Sequence, residues 1–305
     1  MSFTSIVKNE VSKLEAIGTE NISELSAIIR NSDYHKDSIK IITENSSVAR
    51  HIYRLIKDTY DIVPIITARK GYNYSKNFLY ILEVKNRVDM ILKDLCVDSN
   101  IPKDYIIDDE SLIRSYIKGL FLAIGSINDP KKSRYHLEFS VDNEEYANFI
   151  NDLLNKFTLN SKIIKRESKY MIYVKEAEKI GDFLRLINAN NAVLYYEDIR
   201  IYRDHKNMTN RLNNCEQANI DKMIMAATNQ INDIELIEKI GGLELLDDKE
   251  KIVATYRLKY PEASLQELSE IISIETGKAI TKSGINHRIK KIEALANKIR
   301  MNEKK

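Results

Sequence analysis

The sequence has few of the residues on which cofactor and metal chemistry depends. Its 305 residues include two cysteines, five histidines, nine glycines and no tryptophan. Cys96 and Cys215 form no CxxC pair and the histidines are scattered, so no zinc site is expected and both cysteines are interpreted as reduced, buried thiols. There is neither a Walker loop nor a GxGxxG segment, the usual motifs for binding nucleotide phosphates. We therefore expect no cofactor and no metal.

Long apolar runs are also missing. No run approaches the ~20 residues needed to span a bilayer, and the segment from Met1 to Lys8 lacks the apolar core of a signal peptide. The expectation is a cytoplasmic protein with no membrane partner. The net charge is only +2, from 47 basic and 45 acidic residues, so the position of the charge matters more than its total.

A weak internal repeat organises the first two thirds of the chain. Ile39–Leu55 aligns without a gap with Leu137–Leu153, at an offset of 98 residues. In each copy, alternating apolar residues predict a half-buried strand, and Asn45 or Asn143 then opens an amphipathic helix. Further strands are expected at 62–67, 78–84, 161–165 and 170–174, with a polar, basic turn at 69–76, and helices at 22–30, 112–123 and 177–186. This order predicts an α+β domain of two pseudo-symmetric repeats, at about residues 20–90 and 111–188.

The hydrophobic period changes after the repeats. A helical period extends from Glu216 to Ile240, and Gly241-Gly242 then interrupts it. We place three regions accordingly: a repeat domain over 1–215, a linker helix and hinge over 216–242, and an all-α domain over 245–305. In the last region, helices are expected at 249–260, 265–272 and 281–299. Ser264-Leu-Gln-Glu267 has the form of a capping box.

The C-terminal region has the layout of a helix-turn-helix unit, a short helix followed by a turn and a longer basic helix. Residues 278–305 contain nine basic and two acidic side chains, a net charge of +7. We interpret this segment as binding double-stranded DNA; the alternative is a solvated basic tail on a helical cap. Base edges suit Lys, Asn and Ser, whereas Arg288 and Lys291 suit phosphates. The proposed DNA-binding residues are Lys282, Ser283, Asn286, His287, Arg288, Lys290 and Lys291.

A second stretch, from Arg200 to Glu216, is rich in Arg and Asn. Its side chains either contact a phosphate backbone or form an internal polar network that fixes the long helix to the repeat domain. The sequence leaves both interpretations open. The residues concerned are Arg200, Arg203, Lys206, Asn210 and Arg211.

The segment Gly119-Leu-Phe-Leu-Ala-Ile-Gly125 resembles the LAGLIDADG homing-endonuclease fold. In that family two such helices pack along the pseudo-dyad, and each ends in an acidic residue that binds the catalytic metal. Ile124 stands at the acidic position here and cannot hold a divalent cation for phosphodiester hydrolysis. The first repeat, Ser26 to Ser32, lacks even the glycines. Asp33 and Asp129 lie nearby, but loop or capping roles are favoured for them, so the domain is not expected to be an enzyme.

Taken together, the motifs resemble the bacterial WhiA family over nearly the whole chain. They are Ser2-Phe-Thr with Val7-Lys8-x-Glu10, Glu44-Asn45 with Val48-Ala-Arg50, Gly119 to Pro130, Tyr135-His-Leu-Glu138, Asn207-x-x-Asn210-Arg211-x-x-Asn214-Cys215-Glu216-x-x-Asn219, Ser264-Leu-x-Glu-Leu268, and Lys282-Ser-Gly-x-Asn-His-Arg288. The chain departs most at Asn31-Ser-Asp-Tyr-His35, where a glycine-containing turn is usual.

The resemblance implies a degenerate LAGLIDADG domain fused to a helix-turn-helix. It also implies a nucleoid-associated transcriptional regulator of cell division, chromosome segregation and, in spore formers, sporulation. The alternative is an interaction protein, in which the repeat domain recruits a partner from the division, nucleoid or transcription machinery and DNA contact is secondary.

Overall fold

The computed structural model describes residues 1–15, 18–70, 78–132 and 134–303. The chain divides into two compact units, Met1–Asp204 and His205–Lys305. We call them the repeat unit and the helical unit. Most of the basic turn expected at 69–76, and Lys304 and Lys305 of the basic segment, lie outside the described residues.

The repeat unit contains two successions of helices and strands. The first comprises α1 (Phe3–Val11), α2 (Thr19–Arg30), β1 (Asp33–His35), β2 (Ser38–Thr43), α3 (Ser46–Tyr60), β3 (Ile65–Lys70), β4 (Phe78–Val84) and α4 (Val88–Asp94). A 3-10 turn at Asp104–Ile106 connects them to the second, which comprises α5 (Glu110–Ile124), β5 (Ser126–Ile127), β6 (Leu137–Val141), α6 (Glu144–Lys156), β7 (Lys162–Arg166), β8 (Lys169–Val174) and α7 (Ala177–Leu186).

The two sheets have the same antiparallel strand order, which confirms the repeat. The first is ordered β1-β2-β4-β3 and the second β5-β6-β8-β7. Ile39 and Ile41 on β2, like Leu137 and Phe139 on β6, point into the core, as alternation predicts. Asn45 accepts hydrogen bonds from the amides of Ser47 and Val48 at the start of α3, and Asn143 caps α6 in the same way. Strand β3 was predicted three residues too early, because Ile62 is a buried residue of the loop.

Helices α2 and α5 form the central pair of the repeat unit, and their backbones are in close contact. A Cβ atom on Gly119 would lie 2.4 Å from the backbone oxygen of Glu24. Glycine at this position is therefore a packing requirement, which is one reason why this segment has its motif.

Helix α8 differs from the expectation. It runs without a break from Asn190 to Gly241, 52 residues, and so begins well before Glu216. A helical period can be recognised in the sequence only where one face of the helix is apolar. The stretch before Glu216 is polar, so the earlier turns of α8 could not be predicted. The expected limit between residues 215 and 216 falls inside this helix, so the domain limits stay a prediction. Helix α8 ends at the glycine pair, where Gly242 has a φ of 75°.

The helical unit continues with a 3-10 turn at Leu243–Leu245 and three helices, α9 (Asp248–Lys259), α10 (Leu265–Thr276) and α11 (Lys282–Glu303). The end of α8 packs in the same core as these helices, because Ile234 and Ile237 are buried together with Ala254 and Ile292. Cys96 is buried as expected, but Cys215 is exposed. The expectation for Cys215 was wrong because it lies on a solvent-facing length of α8.

Candidate nucleic-acid interface

Local capping determines where α9 and α10 begin and end. Asp247 and Ser264 each form a capping box, with Glu250 and Glu267 respectively. Helix α10 ends at Gly277, whose φ of 69° suits glycine. The predicted box at Ser264 is thereby confirmed, and the short turn that follows leads directly into α11.

The inner face of α11 is apolar and buried. Ile285 and Ile289 pack with Val253 of α9 and with Leu268 and Ile272 of α10. One turn further along, Ile292 and Ala296 belong to the cluster that includes the end of α8. The isoleucine stripe read from the sequence is therefore the face that attaches α11 to the rest of the helical unit.

A buried arginine, which the sequence analysis did not single out, holds the turn between α9 and α10. Arg257 is 1% exposed. Its guanidinium donates to the backbone oxygens of Tyr260, Pro261 and Ala263, and burial lowers its pKa. Because arginine is usually exposed, sequence alone gives little reason to place it in a core. Pro261, which cannot continue a helix, was the only local signal of the turn that it supports.

The outer face of α11 is polar and presents side chains to solvent. Lys282, Ser283, Asn286, His287 and Lys290 are exposed, and Arg288 is half-buried. Thr281 accepts a hydrogen bond from the amide of Gly284 at 3.1 Å and so caps the helix start. The first three turns of α11 thus bring together six of the seven residues proposed from the sequence, with their side chains free of ion pairs within the described residues.

Lys291, the seventh, is exposed but already paired. Its ammonium lies 3.1 Å from the Glu250 carboxylate and 3.7 Å from that of Asp247. The interaction with Glu250 is the main cause of the raised pKa of Lys291. A phosphate must compete with both carboxylates for this ammonium, which the sequence did not indicate because the partners lie about forty residues away.

The Arg/Asn-rich stretch is divided between two environments. Arg200 forms an ion pair with Glu197 at 2.6 Å, which raises its pKa. Arg203 donates to the backbone oxygens of Pro130 and Lys132 and lies 4.5 Å from the ring of Tyr135. These contacts match the internal polar network. Lys206, Asn210 and Arg211 are exposed.

The position that corresponds to a metal ligand in the endonuclease fold does not suit a metal here. Ile124 ends α5, is partly buried and packs against the apolar core. Asp129 accepts from the amide of Lys131 at 2.9 Å, as a turn residue does, and Asp33 is exposed on β1. Among the residues that the structure describes, no three His, Cys, Asp or Glu side chains are grouped as metal ligands would be.

Charge is instead buried between the central helices. Glu24 of α2 is fully buried, with its carboxylate 2.7 Å from the His51 ring and 2.9 Å from the Lys118 ammonium. No local pattern predicted this cluster, because its members are distant along the chain. Buried charges of this kind are tolerated only when paired.

These features define the class: an α+β unit of two pseudo-symmetric repeats, followed by a helical unit of helix-turn-helix layout. Family models agree, matching residues 19–97 as a WhiA N-terminal LAGLIDADG-like domain, 113–206 as a WhiA LAGLIDADG-like domain and 209–296 as a WhiA C-terminal HTH domain.

The chain is 43% identical to the "Probable cell division protein WhiA" of Ligilactobacillus salivarius, over 99% of this chain and 98% of the relative. It is 40% identical to the protein of that name from Oceanobacillus iheyensis, over 99% of both. The crystal structure of full-length DUF199/WhiA from Thermatoga maritima matches with a TM-score of 0.58 at 25% identity, covering 98% of this chain and 99% of that one. The chain belongs to the WhiA family.

Every helix in the described ranges is too short or too polar to cross a bilayer.

Proposed function

We propose that this protein binds double-stranded DNA through the outer face of α11 and acts as a nucleoid-associated regulator of cell division. The observation that supports this most directly is the division of α11 into two faces. Ile285 and Ile289 attach the helix to its unit, while Lys282, Asn286 and His287 project from its first turns into solvent. The N-terminal residues of a recognition helix are those that reach base edges in the major groove.

The names of the relatives support the cellular role. Proteins at least 40% identical over nearly the whole chain are named probable cell division proteins, and the matched family model describes a helix-turn-helix domain. A DNA-binding regulator of division genes or of chromosome segregation would account for both the names of the relatives and the helix-turn-helix domain.

The test is DNA binding by matched variants of α11. Asn286→Ala should cost on the order of 1–3 kcal/mol at a specific site and leave binding to random duplex nearly intact, because amides read adenine edges. Asn297→Ala, near the other end of the same helix, is the control and should change neither. The measurement is fluorescence anisotropy on cognate duplexes, selected first by chromatin mapping, and on random ones. Equal losses on both duplexes for Asn286→Ala would contradict base readout by α11.

We further propose that the repeat unit has no nuclease activity. Ile124 offers no oxygen to a metal, and Asp129 is engaged in its own turn. Purified protein should leave supercoiled plasmid intact with Mg²⁺ or Mn²⁺. Cleavage that a substitution at Asp33 or Asp129 abolishes would overturn this part of the proposal.

One observation favours a second candidate function, recruitment of a protein partner by the repeat unit. Its strands expose apolar side chains: Ile42 is 52% exposed, Ile65 56% and Ile164 48%. Exposed apolar residues on sheets suit a protein surface better than a DNA backbone. Chromatin-wide mapping with residues 278–305 deleted separates the candidates, because retained localisation would favour recruitment through the repeat unit.

A further inference from the structure

A cleft at the edge of the repeat unit collects segments that the helix-turn-helix function does not use. It has a volume of about 850 Å³ and is formed by α1, the turn between β2 and α3, and the end of α5. Residues from three of the WhiA-like motifs meet here: Ser2 and Lys8, Glu44 with Asn45, and Ala123. The volume falls within the range of small-molecule sites.

Lys8 is the distinctive side chain of this cleft. It follows the buried Val7 on α1, and its ammonium lies 5.6 Å from the centroid of the buried Phe121 ring. Within the described part of the chain this ammonium has no hydrogen-bond acceptor and no carboxylate at ion-pair distance. Burial lowers the pKa of Lys8 to about 8. A cation held in this way, half-buried without a counter-ion, costs free energy that a bound anion would recover.

The start of α3 adds a second positive element to the cleft. Asn45 caps the amides of Ser47 and Val48, which leaves the amide of Ser46 without an acceptor among the described residues. This one amide and the dipole of the 15-residue helix favour an anion. Ser46 itself lines the same cleft.

The acidic groups around the cleft are committed or peripheral. Glu10, also on α1, accepts from the amides of Asn191 and Ala192 at 2.6 and 2.9 Å and so caps α8. Glu44 lines the cleft but is exposed. Neither forms an ion pair with Lys8, so the ammonium is available to a ligand.

We propose that this cleft is a binding site for a small molecule bearing a phosphate group, which Lys8 and the start of α3 hold together. The recessed position of Lys8 suits a small ligand better than a DNA backbone. The site uses no residue of α11, so the proposal stands or fails independently of the proposed DNA-binding function.

The test uses the full-length protein with inorganic phosphate and AMP as probes, by calorimetry. Lys8→Met should weaken binding of both roughly ten- to a hundredfold, the effect of losing one charge-assisted hydrogen bond. Lys13→Met, which removes an exposed charge just beyond the same helix, is the control and should bind like the unaltered protein. Lys8→Arg should retain most of the affinity, which separates loss of charge from loss of packing.

A direct readout is the pKa of Lys8 itself, followed by NMR with lysine labelled at Cε, the Lys8 signal being assigned by its absence in Lys8→Arg. An anion stabilises the protonated form, so added sulfate, whose charge is constant over this range, should raise this pKa above about 8. Sulfate affinity should correspondingly fall as the pH rises through the Lys8 pKa.

Equal phosphate affinity for Lys8→Met and Lys13→Met would overturn the proposal, as would a Lys8 pKa unaffected by sulfate. A Lys8 signal that responds to duplex DNA but to neither phosphate nor AMP would also overturn it, because the ligand would then be a nucleic-acid backbone.

Discussion

The repeat unit and the helical unit use charged side chains in opposite ways. Helices α2 and α5 correspond to the two helices that end in metal ligands in the endonuclease fold. Here they bury Glu24 and Lys118 against each other. On α11 most of the described basic side chains are exposed, whereas Arg257 of α9 and Asp233 of α8 are buried beside it. The contrast indicates that the buried charges between α2 and α5 serve packing, whereas the exposed, unpaired basic side chains at the start of α11 are available to a partner.

The largest expected effect concerns the boundary of the helical unit. A fragment of residues 245–305 should lose about 3–6 kcal/mol relative to residues 228–305, because Ile234 and Ile237 would no longer be buried. Arg300 would also lose its ion pair with Asp233. Urea unfolding of both fragments, followed by circular dichroism, measures the difference.

Limited proteolysis gives the complementary result. The sequence-based hypothesis places a hinge at Gly241-Gly242 and a fragment from residue 245 that folds alone. Release of that fragment with the stability of the longer one would support the hinge and contradict a role for the end of α8 in the core.

A pair of glycines sharpens the comparison between the two units. Gly119→Ala should destabilise the repeat unit by about 1–3 kcal/mol, because its Cβ would meet the backbone of Glu24 at 2.4 Å. Gly284→Ala on α11 meets only ordinary contacts, the nearest at 3.4 Å. It should stabilise the helical unit by about 0.5–1 kcal/mol, because alanine has less conformational freedom to lose on folding than glycine has.

Chemical denaturation of the full-length protein, with one probe in each unit, measures both variants. Each substitution should change only its own unit's transition. If Gly119→Ala is tolerated, the two central helices can separate more easily than their packing indicates.

The smallest effect distinguishes two neighbouring cations on α11. Arg288→Ala should reduce the salt dependence of DNA binding by about one unit of slope, as expected for the loss of one phosphate contact. Lys291→Ala should reduce it less, because Glu250 and Asp247 already hold that ammonium. Binding measured over a series of salt concentrations on random duplex gives both slopes.

Glu250→Gln is the matching control. It removes the main competitor for Lys291, so Lys291→Ala should have a larger effect on the slope in that background. Equal slopes for the two single variants would mean that the ion pair with Glu250 opens at no cost when DNA binds.

Local patterns in the sequence determined much of this protein. The caps at Asn45 and Asn143, the box at Ser264 and the isoleucine stripe of α11 follow from periodicity or from hydrogen bonds that span a few residues, and the repeat is the recurrence of such local patterns 98 residues later. Such features depend on neighbours within one or two turns, so the residue order specifies them directly.

Only the tertiary structure decided which distant residues meet. The capping of α8 by Glu10 joins residues 181 positions apart, and the partners of Arg203 and Lys291 lie on other elements. The cleft beside Lys8 likewise forms where α1, α3 and the end of α5 come together. These contacts depend on how helices pack around a shared core, which periodicity within a single helix does not specify.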